Sequence, residues 1–572
     1  MLLVNLDRVL SLILFFLVLA PAAIAQHEGH TMPKPAAKAK PKPRPAPKRK
    51  PAPKTIPLET KPVHEDYKVP SEVDVPAPVA SPSPKTSPQA AEQPASLPVP
   101  TQTPETKQVD HTGHSPGATS PIRPEPLKTE QPPAAVNAPK DDHSSHATAA
   151  DSNSVMVMSG DQMAIRIGSN SVNVIPMGRI GSGTSWQPAS TRMNMLHKTS
   201  GDWLLMLHYN AVVGVNSQGG PRGVAKFESQ NWFMPMAFRR VGNGTLELRS
   251  MFSFEPFTFP PGGSPLLFQT GETYKGQLLI DRQHPHELFM ELSASYTMPL
   301  GDRGTWFGYF GYPGEPALGP TAFMHRASAS ENPAAPLSHH LQDSSHISFG
   351  VFTTGFTYRW FKLEGSVFNG REPGENRYNF EANPWNSRSA RLSFAPNSNW
   401  SMQVSHGFLR SPEALEPGDV RRTTASISHN RVLKRGSWAT SLIWGRNHES
   451  HDGEISNLNG YVAESTVNFQ DKNYLYTRLE LVDKNQLLRA ADRELLGITE
   501  HHPSFRIGAY TFGGARDVWT KEKLSVAIGG DVTFYSKPAT LDAIYGNNPT
   551  SYHLFLRFRP GKATMSHVHD TP

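Results

Sequence analysis

From Trp203 to Arg559 the chain repeats one rhythm: a strand-like run, a tight turn, a second run, then a longer polar connection. The runs begin at Trp203, Lys226, Thr245, His286, Thr305, Ile347, Phe361 and Ser387, then at Trp400, Arg422, Ser437, Asn459, Asn473, Phe505, Lys521 and Ser551. The tight connections are Val241-Gly242-Asn243-Gly244, Gly301-Asp302-Arg303-Gly304, Tyr358 to Trp360, Pro396-Asn397-Ser398-Asn399, Lys434-Arg435-Gly436, Gln470-Asp471-Lys472 and Ala515 to Val518. Most contain Gly, Asn or Asp, which tolerate the backbone angles of hairpin turns. Long connections run from Pro260 to Pro285, Gly314 to His346 and Lys484 to Ser504. Consecutive antiparallel hairpins with short turns at one end and long loops at the other leave few architectures open. The runs number about sixteen, with fourteen the nearest alternative.

Period-two alternation assigns the faces. Tyr552, Leu554, Leu556 and Phe558 share one face of the last run, while His553, Arg557 and Arg559 share the other with Phe555. Leu246 and Leu248 oppose Glu247 and Arg249, and Leu288, Met290 and Leu292 oppose Glu287 and Glu291. A half-buried soluble sheet would alternate in the same way. It gives no reason for Trp203, Trp306, Trp360, Trp400, Trp438 and Trp519 to sit beside the short turns. Indole suits the boundary between acyl chains and water, so one belt at a membrane interface explains the placement. The expected fold is all-β: a closed antiparallel transmembrane β-barrel over 203–559, of the bacterial outer-membrane kind, in contact with outer-membrane lipid.

The remaining sequence divides by composition. Arg8 precedes an apolar run from Val9 to Ala20, and Ala23-Ile24-Ala25 precedes Gln26, so residues 1–25 read as a secretory signal peptide. Residues 26–150 are rich in Pro, Ala and Lys with Tyr67 as their aromatic, too apolar-poor to offset ordering entropy, and read as a disordered periplasmic tether. Residues 1–54 hold ten Lys and Arg against Asp7 and Glu28, which more than accounts for the formal +6 of the chain. The basic charge therefore belongs to the tether. An exported tether excludes nucleic acid as the expected partner and leaves cell-wall polymer or a periplasmic protein. Residues 151–202 carry Met156, Met158, Met163, Met177, Met193 and Met195, and read as a transitional segment or plug. Residues 560–572 form a short C-terminal tail, periplasmic like the N-terminal segments. Cysteine is absent, so disulfides, thiolate metal sites and cysteine nucleophiles are excluded.

Three constellations could carry chemistry. The tether repeats a His-x-x-His pair: His27 and His30 (followed by Met32), His111 and His114, and His143 and His146. Imidazole with thioether suits copper, and imidazole alone suits zinc or nickel; chance enrichment in a polar tail is the bland alternative. The long connections gather His284, His286, Met324, His325, His339, His340, Asp343 and His346, either as further metal ligands or as polar loops bonding to one another. Glu247, Arg249, Glu287, Glu291, Glu364, Arg391, Glu464, Arg478, Glu480, Arg506, Arg557 and Arg559 fall on the expected inward faces. There they either line a water-filled pore or pair and seal a narrow barrel. No cofactor is required by the sequence. Asp343-Ser344-Ser345-His346 places hydrolytic residue types side by side, but adjacency in sequence is no triad, so the expectation is no enzyme and a lipid hydrolase is a minor alternative.

The layout of signal peptide, Met/His-bearing polar region and barrel resembles the outer-membrane copper-resistance B family, on His27, His30, Met32, His111, His114, His143 and His146. The long Lys/Pro tether departs from that pattern. The blocks Asp281 to His286, Gly314 to Arg326 and Pro336 to His346 look like those of little-characterised bacterial outer-membrane β-barrel proteins. The first resemblance implies handling of copper or another metal ion; the second implies location alone. Together with the barrel they lead to an expected porin-like channel, the alternative being a structural envelope anchor.

Overall fold

A computed structural model describes residues 154–561 except 161, 170, 171, 452 and 453. The signal peptide, the tether, and His27, His30, Met32, His111, His114, His143 and His146 lie outside the described residues, as does the tail beyond residue 561. Strands β1 (Met156–Ser159), β2 (Gln162–Arg166) and β3 (Val174–Pro176) form a small antiparallel sheet, followed by β4 (Leu196–Ser200). Then come β5 (Trp203–Ser217), β6 (Ala225–Val241) and β7 (Gly244–Phe252). A two-stranded hairpin, β8 (Ser264–Tyr274) and β9 (Gln277–Gln283), stands apart from the wall. The wall resumes with β10 (Phe289–Leu300), β11 (Gly304–Gly311), β12 (Val351–Tyr358), β13 (Phe361–Phe368), β14 (Ser387–Phe394) and β15 (Trp400–Leu409). It ends with β16 (Gly418–Leu433), β17 (Gly436–His451), β18 (Glu454–Phe469), β19 (Asn473–Lys484), β20 (Phe505–Lys521), β21 (Leu524–Ser536) and β22 (Thr550–Arg559).

The result is a closed antiparallel barrel of 16 strands, from β5 to β7 and from β10 to β22. Closure comes from β22 pairing with β5, Tyr552 to Phe558 against Ser217 to Ala211. The same edge of β5 is covered nearer its start by β4, Ser200 opposite Trp203 and Leu196 opposite Leu207. Neighbouring strands pair throughout, so the ring satisfies its backbone groups internally, as a lipid-facing wall must.

Alternation sorts the side chains. Tyr552, Leu554 and Leu556 are exposed while His553, Phe555, Arg557 and Arg559 are buried inside. Leu363, Leu392, Val404, Leu442, Leu475, Phe512 and Ile528 continue the exposed apolar face around the ring. An apolar band of that extent has no place in water. Trp360, Trp438 and Trp519 are exposed on the same face at the short-turn end.

Two local expectations are corrected. Ala515 to Val518 is not a turn: β20 runs on to Lys521, and the turn lies between Lys521 and Leu524. A register shift between Asp517 and Trp519 lies where the turn was expected, and just before it the Tyr476 ring lies over Gly513, 2.3 Å from the place a Cβ would occupy. The run expected from His286 starts at Phe289, and a register shift between Phe289 and Glu291 leaves both Met290 and Glu291 buried. Met290 therefore does not face outward.

Candidate functional site

The interior of the barrel is filled by the chain itself. Residues of the segment before β4 bond to the wall and the short turns: Asn173 Nδ2 donates to the Gly301 carbonyl at 2.9 Å, and Asn430 Nδ2 to the Ser190 carbonyl at 2.8 Å. Arg249 reaches the Gly183 carbonyl at 2.9 Å, Arg391 reaches Thr184 Oγ1 at 2.9 Å, and Lys362 reaches the Thr184 carbonyl. The hairpin β8–β9 and the connection from β11 to β12 fold inward from the other end. Their residues Leu266, Leu267, Phe268, Leu337 and Leu341 pack in one cluster with wall residues Leu458, Val482 and Ile507.

Charge pairing joins these parts. Arg326 of the β11–β12 connection donates to Glu464 on β18 at 2.7 Å and to Asp343 at 2.6 Å. Arg478 approaches the same Glu464 at 3.4 Å. Glu331, from the same connection, binds Arg559 at 2.8 Å and also Arg557, which reaches Asp517 at 2.5 Å. Arg391 and Lys362 flank Glu364 at 3.0 and 3.2 Å. Arg249 pairs with Glu247 at 2.5 Å and lies 3.7 Å from Glu291. Glu287 binds Arg377 at 2.5 Å, and Glu480 accepts from the Ser338 backbone at 3.3 Å. Arg506 departs from the inward set: it is exposed and pairs with Asp483 at 2.5 Å, because Phe505 and Ile507 take the inward places on β20.

Within the inward loops five imidazoles close a cycle. Ring centres lie 5.4 Å apart for His286 and His346, 5.2 Å for His346 and His339, and 5.3 Å for His339 and His340. The cycle completes through His340 and His284 at 6.0 Å and His284 and His286 at 6.3 Å. Each ring has a carboxylate or carbonyl partner. Nδ1 of His286 meets Glu255 at 2.7 Å, Nδ1 of His339 meets Asp343 at 2.7 Å, and Nδ1 of His346 meets the Asp343 carbonyl at 2.8 Å. Nδ1 of His340 lies 3.3 Å from Glu372, and Nε2 of His284 lies 2.6 Å from Glu272. Gly271, at φ +111°, lets the His340 ring approach to 2.6 Å from its missing Cβ. Among the described residues no group of three or more His, Cys, Asp or Glu side chains is placed to hold a metal ion.

Electrostatics follow from burial. Burial would push the Asp343 carboxyl up, but Arg326 and His339 hold it well below the usual carboxylate range. Burial lowers His339 to about 4 against the pull of Asp343, and lowers His346 further with the help of neighbouring His339 and His286. Glu315 goes the other way: burial raises it to about 8 despite Arg391. It is a neutral carboxylic acid at neutral pH.

The structure splits the sequence's loop candidates. His284, His286, His339, His340, Asp343 and His346 come together, whereas Met324 and His325 join a different neighbourhood. His325 Nε2 lies 3.4 Å from Met251 Sδ and its ring packs on Trp232 at 4.6 Å. Around them Met177, Met195, Met206, Met234, Met236, Met251 and Met290 are buried in one cluster. Ser344 receives a hydrogen bond from Arg422 at 2.8 Å, and His346 turns its Nδ1 to a backbone carbonyl, so Asp343, Ser344 and His346 form no proton relay. Glu255, Glu272, Glu331, Glu372 and Arg377 were missed by sequence reasoning. Glu331, Glu372 and Arg377 sit in irregular connections, Glu255 in a single helical turn and Glu272 on the β8 strand that stands apart from the wall, where no barrel periodicity marks a face.

No protein-family model and no curated protein matches this sequence. Among solved structures, the anion-selective porin from Comamonas acidovorans is similar at 10% identity and TM-score 0.38, over 62% of this chain and 99% of that one. The outer-membrane expressed OmpT of Vibrio cholerae is similar at 6% identity and TM-score 0.38, over 64% and 100%. The outer membrane channel DcaP of Acinetobacter baumannii is similar at 8% identity and TM-score 0.36, over 63% and 99%. The ring of sixteen strands rests on its own pairings and needs none of these likenesses.

Proposed function

We propose that this chain is an outer-membrane, porin-like barrel held closed by its own loops, with a role in handling copper or another metal ion and no enzymatic activity. The observation that carries the reading is the inward connection between β11 and β12, tied to the wall at two separate strands, β18 by Arg326 to Glu464 and β22 by Glu331 to Arg559. Wall charges of both signs are in place, and displacing that one connection frees several of them to face water. The apolar outer face and the tryptophans at the short-turn end support outer-membrane lipid as the surroundings, with both chain ends on the periplasmic side. The tether histidines would then present metal near the inner mouth.

The test is conductance of the purified full-length protein in planar bilayers, with and without Cu²⁺. Discrete openings support a channel; silence under all conditions removes it. A specific observation favours the structural alternative. Two cavities beside the inward loops offer only ≈ 60 and ≈ 20 Å³, room for a few waters. An envelope anchor, with the tether holding cell wall or a periplasmic protein, predicts that deleting residues 27–150 weakens envelope integrity and leaves metal tolerance unchanged.

A further inference from the structure

We infer that the lipid-facing side of β14 to β19 binds one phosphorylated, acylated sugar lipid. Arg421 and Arg446 hold a phosphate, and the apolar groove beside them takes the acyl chains. The inference rests on the membrane location and orientation in the proposed function, not on conduction or metal handling.

The register of the wall builds the charged part. Antiparallel pairing sets Arg388 of β14, Phe408 of β15, Arg421 of β16, His448 of β17 and Asn457 of β18 in one row. The next row toward the short turns is Ala390, His406, Thr423, Arg446 and Asn459. Both rows lie on the face opposite the buried Arg391, Ser405, Arg422 and Asn447. On that outer face Arg388, His406, Arg421 and Arg446 are exposed.

These cations lack counterions. Asp419, on the same face of β16, is taken by Arg410 at 2.8 Å. Among the described residues no carboxylate pairs with Arg388, Arg421 or Arg446. Arg388 instead lies over the Phe408 ring at 5.7 Å, and Arg446 donates to Asn457 Oδ1 at 2.7 Å. A guanidinium carries five N–H donors, so most of theirs are left for a further acceptor. Arg421 and Arg446 are diagonal neighbours on adjacent strands, about 7–8 Å apart, which long side chains can bridge through one group. Phosphate oxygens match guanidinium in a bidentate fit. Arg388 stands two strands from Arg421, about 10 Å away, where a second phosphate of the same headgroup fits.

The next two rows are apolar. Leu392, Val404, Ala425, Trp444, Tyr461 and Leu481 form the first, and Phe394, Met402, Ile427, Leu442, Ala463 and Leu479 the second. They line a groove of ≈ 800 Å³. Ala425 and Ala463 give it depth, because their neighbours in each row are larger. Trp444 and Tyr461 stand on the side nearer the cations, the level such amphipathic rings prefer. Arg446 and Leu442 are four residues apart on one strand, ~13 Å, so one molecule spans charge and groove. Charge at the long-loop end with grease below is the order of a lipid. In the proposed orientation that end meets the outer leaflet, which in an outer membrane is built of phosphorylated, acylated sugar lipid.

The experiment is native mass spectrometry of the full-length protein in detergent, incubated with lipid A or with lipid A stripped of its phosphates. The expected result is one lipid A retained per chain after detergent is removed, and little of the dephosphorylated form. Arg421→Ala combined with Arg446→Ala should lower retention about tenfold or more. Ala425→Trp should fill the groove and lower retention with every charge in place. Arg516→Ala removes an exposed guanidinium near the short turns and should change nothing. Should the alanine pair lose the folded, heat-modifiable band, Arg421→Gln with Arg446→Gln replaces it. Equal retention of the dephosphorylated lipid, unchanged retention in the folded double variant or in Ala425→Trp, an equal loss in Arg516→Ala, or displacement of lipid A by inorganic phosphate overturns the inference. Labelling of intact cells tests the orientation separately. A silent bilayer with lipid A retained would remove conduction and leave the site standing.

Discussion

Arg326 Nε donates to Glu464 Oε1 at 2.7 Å across 138 residues of sequence, joining a loop to the wall it closes. Arg326 is the hinge of a wider set, since its other nitrogen holds Asp343, and Asp343 holds His339. Replacing it with Ala removes the nearest cation from two buried carboxylates, leaving Glu464 to Arg478 and Asp343 to His339. Loss of one partner from a buried pair costs ~3–5 kcal/mol. Arg326→Ala should therefore lower the temperature at which the folded band disappears in gel electrophoresis, and should raise conductance in bilayers. Unchanged values in both assays would mean that this loop does not close the barrel.

Glu315 makes the interior sensitive to alkali. Its ordinary pKa of 4.5 is raised to about 8, so the folded state keeps a proton that the unfolded chain has released. Its stabilising share is complete below the unfolded value and is lost as pH rises through the folded one. Thermal stability should fall as pH rises from about 4.5 to about 8, and Glu315→Gln should flatten that slope. A wild-type curve that is level over this window would show that Glu315 reaches solvent.

Tyr476 lies flat over Gly513 and donates to Asp531 at 2.8 Å. A valine at position 513 has no room beneath the ring. Gly513→Val should cost ~1–3 kcal/mol through the displaced ring and its hydrogen bond. Slower refolding and a lower melting temperature in detergent check this, and Tyr476→Phe should reproduce only the hydrogen-bond part of the loss.

Orientation can be read with short epitope insertions. One placed after Glu500, in the exposed connection between β19 and β20, should be labelled on intact cells. One placed after Asp302, in the turn between β10 and β11, should be labelled only after permeabilisation. The opposite result would invert the barrel and place the tether outside.

Much of the wall was legible because it depends on local rules. Starts expected at Trp203, Phe361, Ser387, Trp400, Asn473 and Phe505 coincide with the observed ones, since alternation and turn chemistry are properties of neighbours in sequence. Ala515 to Val518 misled because a register shift between Asp517 and Trp519 interrupts the strand just where a turn was expected. Met290 misled because a register shift turns one more residue inward without altering composition. Of the interior, the sequence supplied the histidines but not their arrangement. His286 and His346 meet only because two separate loops enter the same space, and Glu255 is tied to that space by tertiary contact alone.

The first strand of the ring has a practical consequence for traffic. One hydrogen-bonding edge is occupied from Trp203 to Leu207 by a short hairpin arm and from Ala211 to Ser217 by the final strand, so this seam is covered along most of its length. Should the barrel conduct as proposed, a solute would travel along the cylinder axis, and the loop that bears Arg326 would stand in its way.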